Sequence, residues 1–464
     1  MTTISRAAEP PAGTLSIAGV FVLALGALDF GLEQSIVVPA LPALADHYDA
    51  SLVAVGWLVT GFLLASVVAV PVLGRMGDIY GKRRLLLVSL GTFAVGALIC
   101  ALTDAIALAI AGRVIQGIGA AVGPLSYSLA RDTVEPGLVS RAIGTVVGCA
   151  TAGGAIGFVL SGLLVDYVSV DAIFWFLLAL ALATGAAIWA LVPETPLRTR
   201  VPVDVGGAFL LALGLLAAML AISKGNAWGW SSPRIVALFA ASAVVLVLFA
   251  LVERRVREPL VDLALVVTRP FADANVCAVL FGYSFFLAVF LVPLIAAAPK
   301  DTDYGLGLGT TEIGLLLLPT GLASAFGGWI SGRLIDRVGS RAFVAIGSAL
   351  AVVGYLALAL APETHAVLAV GSALLGLTWG LLLPAIYLVT INGVSTDKTA
   401  VAISVNVVGR NSAATLGVQI AFVILSGAGA AFESGYDRVF VMGALGAGLT
   451  LLAARLLPGP ALHT

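Results

Sequence analysis

The chain has 464 residues, of which 60% are hydrophobic and 11% are charged, and its mean hydropathy is +1.11. Soluble domains carry about a quarter charged residues, so this composition excludes a soluble globular protein and predicts an all-α polytopic membrane protein. The net charge of −1 argues against nucleic acid as a partner. The three cysteines fall in apolar runs and the three histidines lack metal-ligand spacing, so neither a disulfide nor a metal site is expected.

The apolar runs predict fourteen membrane spans, because a transmembrane helix needs about 20 apolar residues. With both termini in the cytoplasm, 18 of the 24 Lys and Arg residues lie in cytoplasmic segments, as the positive-inside rule requires. The seventh and eighth runs are the least secure and form either two spans or one re-entrant pair. The runs cover residues 17–40, 52–73, 84–103, 106–130, 140–165, 172–192, 205–223, 234–252, 273–298, 311–332, 342–361, 366–390, 400–427 and 437–457.

The first run contains two acids, Asp29 and Glu33, within LDFGLEQSIVVPALP. Residues four apart share one face of a helix, so both carboxyls face the same part of an apolar bundle. A charge at membrane depth costs about 2.5–3.5 kcal/mol on insertion scales, which makes such residues candidates for function. Glu33 is expected either to carry a proton or to pair structurally with an internal arginine. Asp29 is expected to be a secondary proton site or a charge that tunes a water-filled vestibule.

A short loop with two glycines and a basic cluster occurs twice in the sequence. The first copy, GRMGDIYGKRR, covers residues 74–84, and a degenerate copy, GRLIDRVGSR, covers residues 332–341. Glycine permits a tight turn between two helices, and the basic residues can remain at the lipid headgroups. Two copies at matching places in two hydrophobic halves are typical of secondary transporters.

This loop resembles the pattern G-x-L-a-D-r-x-G-r-k of the major facilitator superfamily. Two bundles of six spans account for fewer residues than lie between the two copies of the loop, and two additional spans account for the rest. The resemblance therefore narrows to the 14-span branch of drug:proton antiporters. It implies a major facilitator fold with six-helix bundles over residues 1–195 and 271–464 and two additional helices in residues 196–270. The gating residues that the resemblance implies are Gly74, Asp78, Gly81, Lys82, Arg83, Asp336 and Arg410.

Two further runs extend the resemblance. LEQSIVVPALP is similar to the branch motif L-D-x-T-I-V-N-V-A-L-P, with Glu33 at the position of the aspartate. AGRVIQGIGAAVGP is similar to R-x-x-q-G-x-g-a, in which the family arginine is associated with proton handling. Arg113 matches that arginine, and it is expected to act through its field on Glu33 or Asp29. The alternative is a purely structural arginine.

The fifth run departs from the pattern g-x-x-x-G-P-x-x-G-G that antiporters of the superfamily show. It reads GGAIGFVLSG, with Phe158 in place of the proline. The glycine spacing predicts close helix packing. The missing proline leaves the direction of transport open.

The second half is poorer in ionisable candidates than the first, and its main candidate is Arg410, in NVVGRNSAATLG. It is expected either to close an inner gate by contacting Asp78 or to extend to the headgroups. A substrate site is expected between the two bundles near the bilayer midplane. Its candidate residues are Gln116, Tyr127, Tyr283, Phe285, Phe286, Phe290, Trp379 and Tyr387.

The sequence therefore predicts a monomeric, proton-coupled exporter (antiporter) of hydrophobic or cationic small molecules, without a cofactor, in a bacterial cytoplasmic (inner) membrane. It would work by alternating access. Exporters of one endogenous metabolite or lipid, and facilitators without antiport, are alternatives within transport. A membrane receptor is the alternative outside transport. An enzyme is disfavoured because no Ser/His dyad lies at membrane depth, and ATP-driven transport because no G-x-x-x-x-G-K-[ST] loop is present.

Overall fold

The computed structural model of the chain describes residues 17–134, 139–194, 204–256, 259, 268–269, 271–300, 305–361, 364–393, 399–428 and 432–458. Within these residues the regular structure is entirely helical, and fourteen helices are long and apolar enough to cross a membrane. The predicted all-α fold and the predicted number of spans are therefore confirmed. The runs over residues 205–223 and 234–252 form two separate helices rather than a re-entrant pair.

The helices are named in chain order. The N-terminal half consists of α1 (Ile17–Ser35), α2 (Leu41–His47), α3 (Leu52–Tyr80), α4 (Lys82–Leu102), α5 (Ile106–Ile118), α6 (Val122–Thr133), α7 (Val139–Tyr167) and α8 (Ala172–Leu191). The additional pair is α9 (Val205–Trp228) and α10 (Pro233–Glu253). The C-terminal half consists of α11 (Phe271–Ala297), α12 (Thr310–Val338), α13 (Ser340–Leu360), α14 (His365–Asn392), α15 (Thr399–Ala428) and α16 (Phe432–Ala453).

Two predicted runs are interrupted by proline. The first run was expected to reach residue 40, but α1 ends at Ser35, because the ring of Pro39 would clash with the carbonyl of the residue four positions earlier. The fourth run consists of α5 and α6 joined by a 3₁₀ turn at Gly119–Ala121. Pro124 stands four residues after Ala120 of that turn, which is the same geometric conflict.

The two copies of the repeated loop have the same backbone conformation. Gly81 joins α3 to α4 with φ +110°, and Gly339 joins α12 to α13 with φ +88°. Only glycine adopts such values without strain. Each glycine donates its N–H to a carbonyl four residues earlier, at 2.9 Å to Gly77 and 2.8 Å to Ile335. We call the end of the bundle with these two glycines the repeat-loop face and the other end the opposite face.

The two halves approach each other most closely toward the opposite face. Helix α7 packs on α12, and a Cβ added to Gly162 would lie 2.2 Å from the Cα of Thr311. Helix α3 packs on α15, and a Cβ added to Gly56 would lie 2.6 Å from the ring of Phe422. Thr60 Oγ1 also donates a 3.4 Å hydrogen bond to Gln419 Oε1. Gly162 thus lets the two halves meet backbone to backbone, and Gly56 makes room for a ring of the other half.

Helix α9 lies along the seam between α3 and α15 and contacts both halves. Trp57 Nε1 of α3 donates a 3.0 Å hydrogen bond to Ser223 Oγ of α9. Asn226 Nδ2 of α9 donates a 2.8 Å hydrogen bond to the carbonyl of Val423 in α15. Helix α10 packs along α9, and most of its surface is exposed.

Candidate functional site

A buried ion pair joins the first and fourth membrane spans. Arg113 Nη1 lies 3.0 Å from Glu33 Oε1, and each residue is only 1% exposed. Arg113 also donates from Nη1 to Gln116 Oε1 at 2.9 Å and from Nε to the carbonyl of Leu58 at 3.0 Å. Its guanidinium lies 4.6 Å from the centre of the Phe62 ring. The arginine therefore connects α1, α3 and α5, and we call this group of residues the ion-pair site.

Asp29 has a different environment from Glu33 although it lies one turn away on the same helix. It is 1% exposed, and neither carboxyl oxygen has a hydrogen-bond partner among the described residues. Arg113 thus selects Glu33 of the two acids. Gln116, a predicted substrate residue, is completely buried beside the ion pair instead.

Glycines of α7 hold α1 in place. A Cβ added to Gly153 would lie 2.2 Å from the carbonyl oxygen of Leu28, and one added to Gly157 would lie 2.1 Å from Ser35 Oγ. A Cβ would meet the backbone of α1 at Gly153 and a side chain of α1 at Gly157, so the two glycines allow α1 and α7 to pack closely. The close packing predicted from GGAIGFVLSG is confirmed.

The repeated loop forms an ionic cluster with the end of α6. Lys82 Nζ lies 3.4 Å from Asp78 Oδ1 and donates a closer hydrogen bond to Asp132 Oδ2. The sequence analysis missed Asp132, although an acid at the loop end of the fourth span, beside Arg131, was a signal for it. Among the other predicted gating positions, Gly74 has open space where a Cβ would stand. The side chain of Asp336 lies outside the described part of α12.

Glu194, which follows α8, caps the start of α4. Its carboxylate accepts hydrogen bonds from the backbone N–H groups of Arg83 at 3.0 Å and Arg84 at 3.2 Å. A negative charge is favourable at a helix N-terminus. A Cβ on Gly81 would lie 2.6 Å from this carboxylate, so the position requires glycine for space as well as for φ. Arg83 donates from Nη2 to the carbonyl of Trp189 and so fastens the loop to α8.

Aromatic side chains of α11 and α14 form a cluster in the C-terminal half. Ring centres of Phe285 and Trp379 are 4.4 Å apart, and Phe286 lies 5.8 Å from Trp379 and 6.0 Å from Phe290. Phe281, which the sequence analysis missed, lies 5.3 Å from Trp379. Its spacing of four from Phe285 on one helix was the available signal. The structure thus brings together four of the predicted substrate residues.

Arg410 of α15 lies beside this cluster. Its Cζ is 5.2 Å from the centre of the Trp379 ring, and its Nη1 donates a 3.1 Å hydrogen bond to the hydroxyl of Tyr387. Nε and Nη2 each lie 3.4 Å from Asn411 Oδ1. We call Arg410, Tyr387, Trp379 and Phe285 with the neighbouring phenylalanines the aromatic site.

The predicted contact between Arg410 and Asp78 does not occur among the described residues. Asp78 pairs with Lys82 of its own loop, whereas Arg410 contacts groups of α14 and α15. Arg410 is 9% exposed, so it does not extend to the headgroups either. Of the remaining predicted substrate residues, Tyr127 of α6 lies within electrostatic range of Tyr387 and Arg410. Tyr283 lies instead against the glycines of α15 and α16, where a Cβ on Gly417 would be 3.0 Å from its ring.

Comparison with known proteins agrees with this architecture. The sequence model of the Major Facilitator Superfamily matches residues 23–418. The tetracenomycin C resistance and export protein of Streptomyces glaucescens is 32% identical over 71% of this chain, which spans only 61% of that protein's length. The methylenomycin A resistance protein of Bacillus subtilis is 28% identical over 97% of this chain and 95% of its own length.

Among solved structures, a D-xylose-proton symporter superposes with a TM-score of 0.67 at 14% identity, covering 96% of this chain and 98% of the symporter. At that identity the likeness shows the fold alone. The family match covers most of the chain and includes both halves, the ion pair and the aromatic site. The chain therefore belongs to the Major Facilitator Superfamily.

Proposed function

We propose that this transporter is a proton-coupled exporter of hydrophobic small molecules and that Glu33 is its principal proton carrier. As a member of the superfamily the protein is a multi-pass membrane transporter and not an enzyme. The observation that carries the proposal is the Glu33–Arg113 ion pair, buried at membrane depth with a 3.0 Å separation. The tetracenomycin C resistance and export protein supports the direction, and this relative and the methylenomycin A resistance protein support the substrate class.

The ion pair suits a carboxyl that exchanges a proton without unfolding its surroundings. Removing one partner from a buried pair normally costs about 3–5 kcal/mol, because the other charge is left uncompensated. Here Arg113 keeps the Leu58 carbonyl and Gln116 as acceptors when Glu33 takes up a proton. Protonation would therefore release α1 from α5 while α3 stays bound to α5.

A route from this pair to the contact between the halves runs through α3. Leu58, whose carbonyl accepts from Arg113, lies between Gly56 and Thr60, and both of these contact α15. A change in the position of Arg113 would thus act on the closed seam at the opposite face. In our proposal, proton uptake by Glu33 and opening of this seam are coupled by that one turn of α3.

Asp29 is a second, subordinate proton site in this proposal. A buried carboxylate without a hydrogen bond is costly, so a carboxyl in this position is more stable when it carries a proton. Because Asp29 has no arginine to hold its carboxyl ionised, we assign it an effect on the affinity for charged substrates, exerted when it loses its proton, rather than the coupling step.

The remaining assignments follow from the basic loops and belong to the same proposal. We place the repeat-loop face and both termini in the cytoplasm of a bacterium, with the protein in the inner membrane as a monomer. The N-terminal bundle would cover residues 1–195, the additional helices residues 196–270 and the C-terminal bundle residues 271–464. Among the gating residues, Asp78, Lys82 and Arg83 would hold the inward-closed state.

Transport into inverted membrane vesicles tests the proposal. A fluorescent lipophilic compound should accumulate only when an inwardly acidic pH gradient is imposed. Glu33→Gln should abolish this accumulation but retain substrate binding. Glu253→Gln is the matched control, because Glu253 is also a buried acid, 2% exposed, but lies on the additional helix α10. Loss of uphill transport in both variants, or in neither, would rule out Glu33 as the proton carrier.

A non-antiport facilitator is the second candidate, and α7 favours it. This helix is continuous over 29 residues, with Phe158 at the position where antiporters have proline. Export of one endogenous metabolite or lipid is compatible with the same helix. Equilibration of substrate in the vesicles without regard to the pH gradient would support the facilitator.

A further inference from the structure

Arg410 is a cation at membrane depth that has no anionic partner among the described residues. In the part of the chain that the structure describes, no carboxylate lies within ion-pair distance of it. Its contacts are a phenol hydroxyl, an amide oxygen and the face of Trp379. Arg113 of the ion-pair site, by contrast, has Glu33 as its counter-charge. The aromatic site thus carries a net positive charge, whereas the ion-pair site is balanced.

The arrangement of α11 and α15 places Arg410 here and not elsewhere. A Cβ on Gly282 would lie 2.5 Å from the backbone oxygen of Arg410 and 2.6 Å from its Cγ. The missing side chain on α11 therefore lets the arginine pass alongside that helix toward the rings. Arg410 stands about a third of the way along α15, well inside the span.

Three side chains of the aromatic site are partly accessible. Trp379 and Phe285 are partly exposed in the middle of α14 and α11, and Tyr387 is partly exposed in the last third of α14, closer to the repeat-loop face. Tyr127, from α6 of the other half, lies within electrostatic range of Arg410 and Tyr387. Both halves therefore contribute to the surroundings of the guanidinium, as expected of a substrate site in a transporter of this architecture.

We propose that the aromatic site binds planar aromatic acids, with the anionic group on Arg410 and the ring system against Trp379 and Phe285. A guanidinium offers donors in a planar fork that matches a carboxylate, and its flat face also stacks on aromatic rings. Tyr387 supplies a hydroxyl beside the same guanidinium. That the bound compound is exported rests on the proposed function; the selectivity of binding does not.

The alternative ligand class, lipophilic cations, is disfavoured by the same geometry. Contact of a cation with a desolvated aromatic face strengthens binding by about thirtyfold. A like charge about 5 Å from Arg410, at an effective dielectric constant near 20, weakens binding by on the order of a hundredfold. Repulsion therefore outweighs the cation–π attraction, whereas an aromatic acid gains from the guanidinium through its anionic group and from Trp379 and Phe285 through its own ring system.

Three probes with the same ring system test the proposal: anthracene-2-carboxylate, 2-(hydroxymethyl)anthracene and protonated 2-(aminomethyl)anthracene. Saturable binding to the full-length purified protein is measured by equilibrium dialysis, with protein-free detergent micelles as the blank. The wild type should bind the carboxylate at least tenfold more tightly than the alcohol and the ammonium most weakly. Ammonium binding equal to or tighter than carboxylate binding would overturn the proposal without any variant.

Two substitutions separate charge from structure. Arg410→Gln should weaken carboxylate binding at least tenfold, leave alcohol binding within twofold and strengthen ammonium binding, whereas Arg410→Lys should retain the preference for the carboxylate. Arg333→Gln is the matched control, because Arg333 also lies over a tryptophan, 3.9 Å from the ring of Trp329, but on an exposed face of α12. Equal loss for all three probes in Arg410→Gln would show a structural role and overturn the proposal.

The binding assay is independent of the proposed proton coupling because no gradient is present. Selective carboxylate binding together with gradient-independent transport would support the aromatic site and reject the antiporter. Gradient-driven transport together with a preference for the ammonium probe would support the antiporter and reject the aromatic site as a site for aromatic acids.

Discussion

Asp166, at the end of α7, accepts a 2.7 Å hydrogen bond from the backbone N–H of Thr311, in the first turn of α12. This bond connects the N-terminal half to the C-terminal half at the opposite face. It also places a negative charge at the N-terminus of α12, where the helix dipole favours it. The contact is therefore a specific link of the state in which the opposite face is closed.

Asp166→Ala should shift the protein toward the state that is open at the opposite face. A charge-assisted hydrogen bond at an exposed position contributes about 1 kcal/mol, so the ratio of closed to open molecules should fall roughly fivefold. The distribution of distances between spin labels at Val168 and Lys300, recorded by electron–electron double resonance, measures the two populations. Asp104→Ala, at a fully accessible site of the N-terminal half, should leave the distribution unchanged. An unchanged distribution in Asp166→Ala would contradict the assigned role.

The ion pair should show strong energetic coupling in a double-mutant cycle. Arg113→Gln leaves Glu33 buried without a cation and should lower the free energy of unfolding by about 3–5 kcal/mol. The double variant Glu33→Gln with Arg113→Gln should be more stable than Arg113→Gln alone, because two amides can hydrogen-bond without a charge. Thermal unfolding of the four proteins in one detergent gives the comparison. Additive effects of the two substitutions would show that the charges do not interact.

Two substitutions in the ionic cluster of the repeated loop should separate an effect on stability from an effect on transport. Asp132 is 11% exposed and Asp78 is 35% exposed, so Asp132→Asn should destabilise the fold by about 2 kcal/mol and Asp78→Asn by less than about 1 kcal/mol. Asp78→Asn should nevertheless impair transport, because we assign this acid to the inward-closed state. Melting temperatures and vesicle transport are measured on the same preparations. Full transport by a well-inserted Asp78→Asn protein would count against the gating role.

Two adjacent glycines of α7 provide a direct test of the packing of α1. A Cβ at Gly153 would lie 2.2 Å from the carbonyl oxygen of Leu28, whereas a Cβ at Gly154 would meet nothing within 4 Å. Gly153→Ala should therefore separate the helices and destabilise the protein by about 2–3 kcal/mol. Gly154→Ala should be neutral or slightly stabilising, since alanine favours a helix. Equal melting temperatures for the two variants would show that α1 and α7 are not packed this tightly.

The membrane architecture and the choice of Glu33 as a candidate proton-carrying acid followed from the sequence. Each apolar run of about 20 residues meets the bilayer as a separate helix, so length and composition decide its existence. The repeated glycines were readable for a similar reason, because the positive φ of Gly81 and Gly339 is a local requirement. The end of the first helix was predicted too far along the chain because Pro39 was not weighed against the carbonyl four residues earlier.

Tertiary structure alone decided which charges meet. Asp29 and Glu33 share a helix face, but Arg113 pairs with Glu33. The position of Arg113 along the bundle is set by the packing of α5 on its neighbours, since a Cβ on Gly112 would lie 2.6 Å from Cys100 Sγ. From the sequence, Arg410 was expected to contact Asp78 or to extend to the headgroups. In the part of the chain that the structure describes, it contacts Tyr387 and Trp379 instead. An arginine side chain is long and flexible, so its partner depends on the distance between helix backbones. The absence of a side chain at Gly282, on another helix, lets Arg410 reach the aromatic rings.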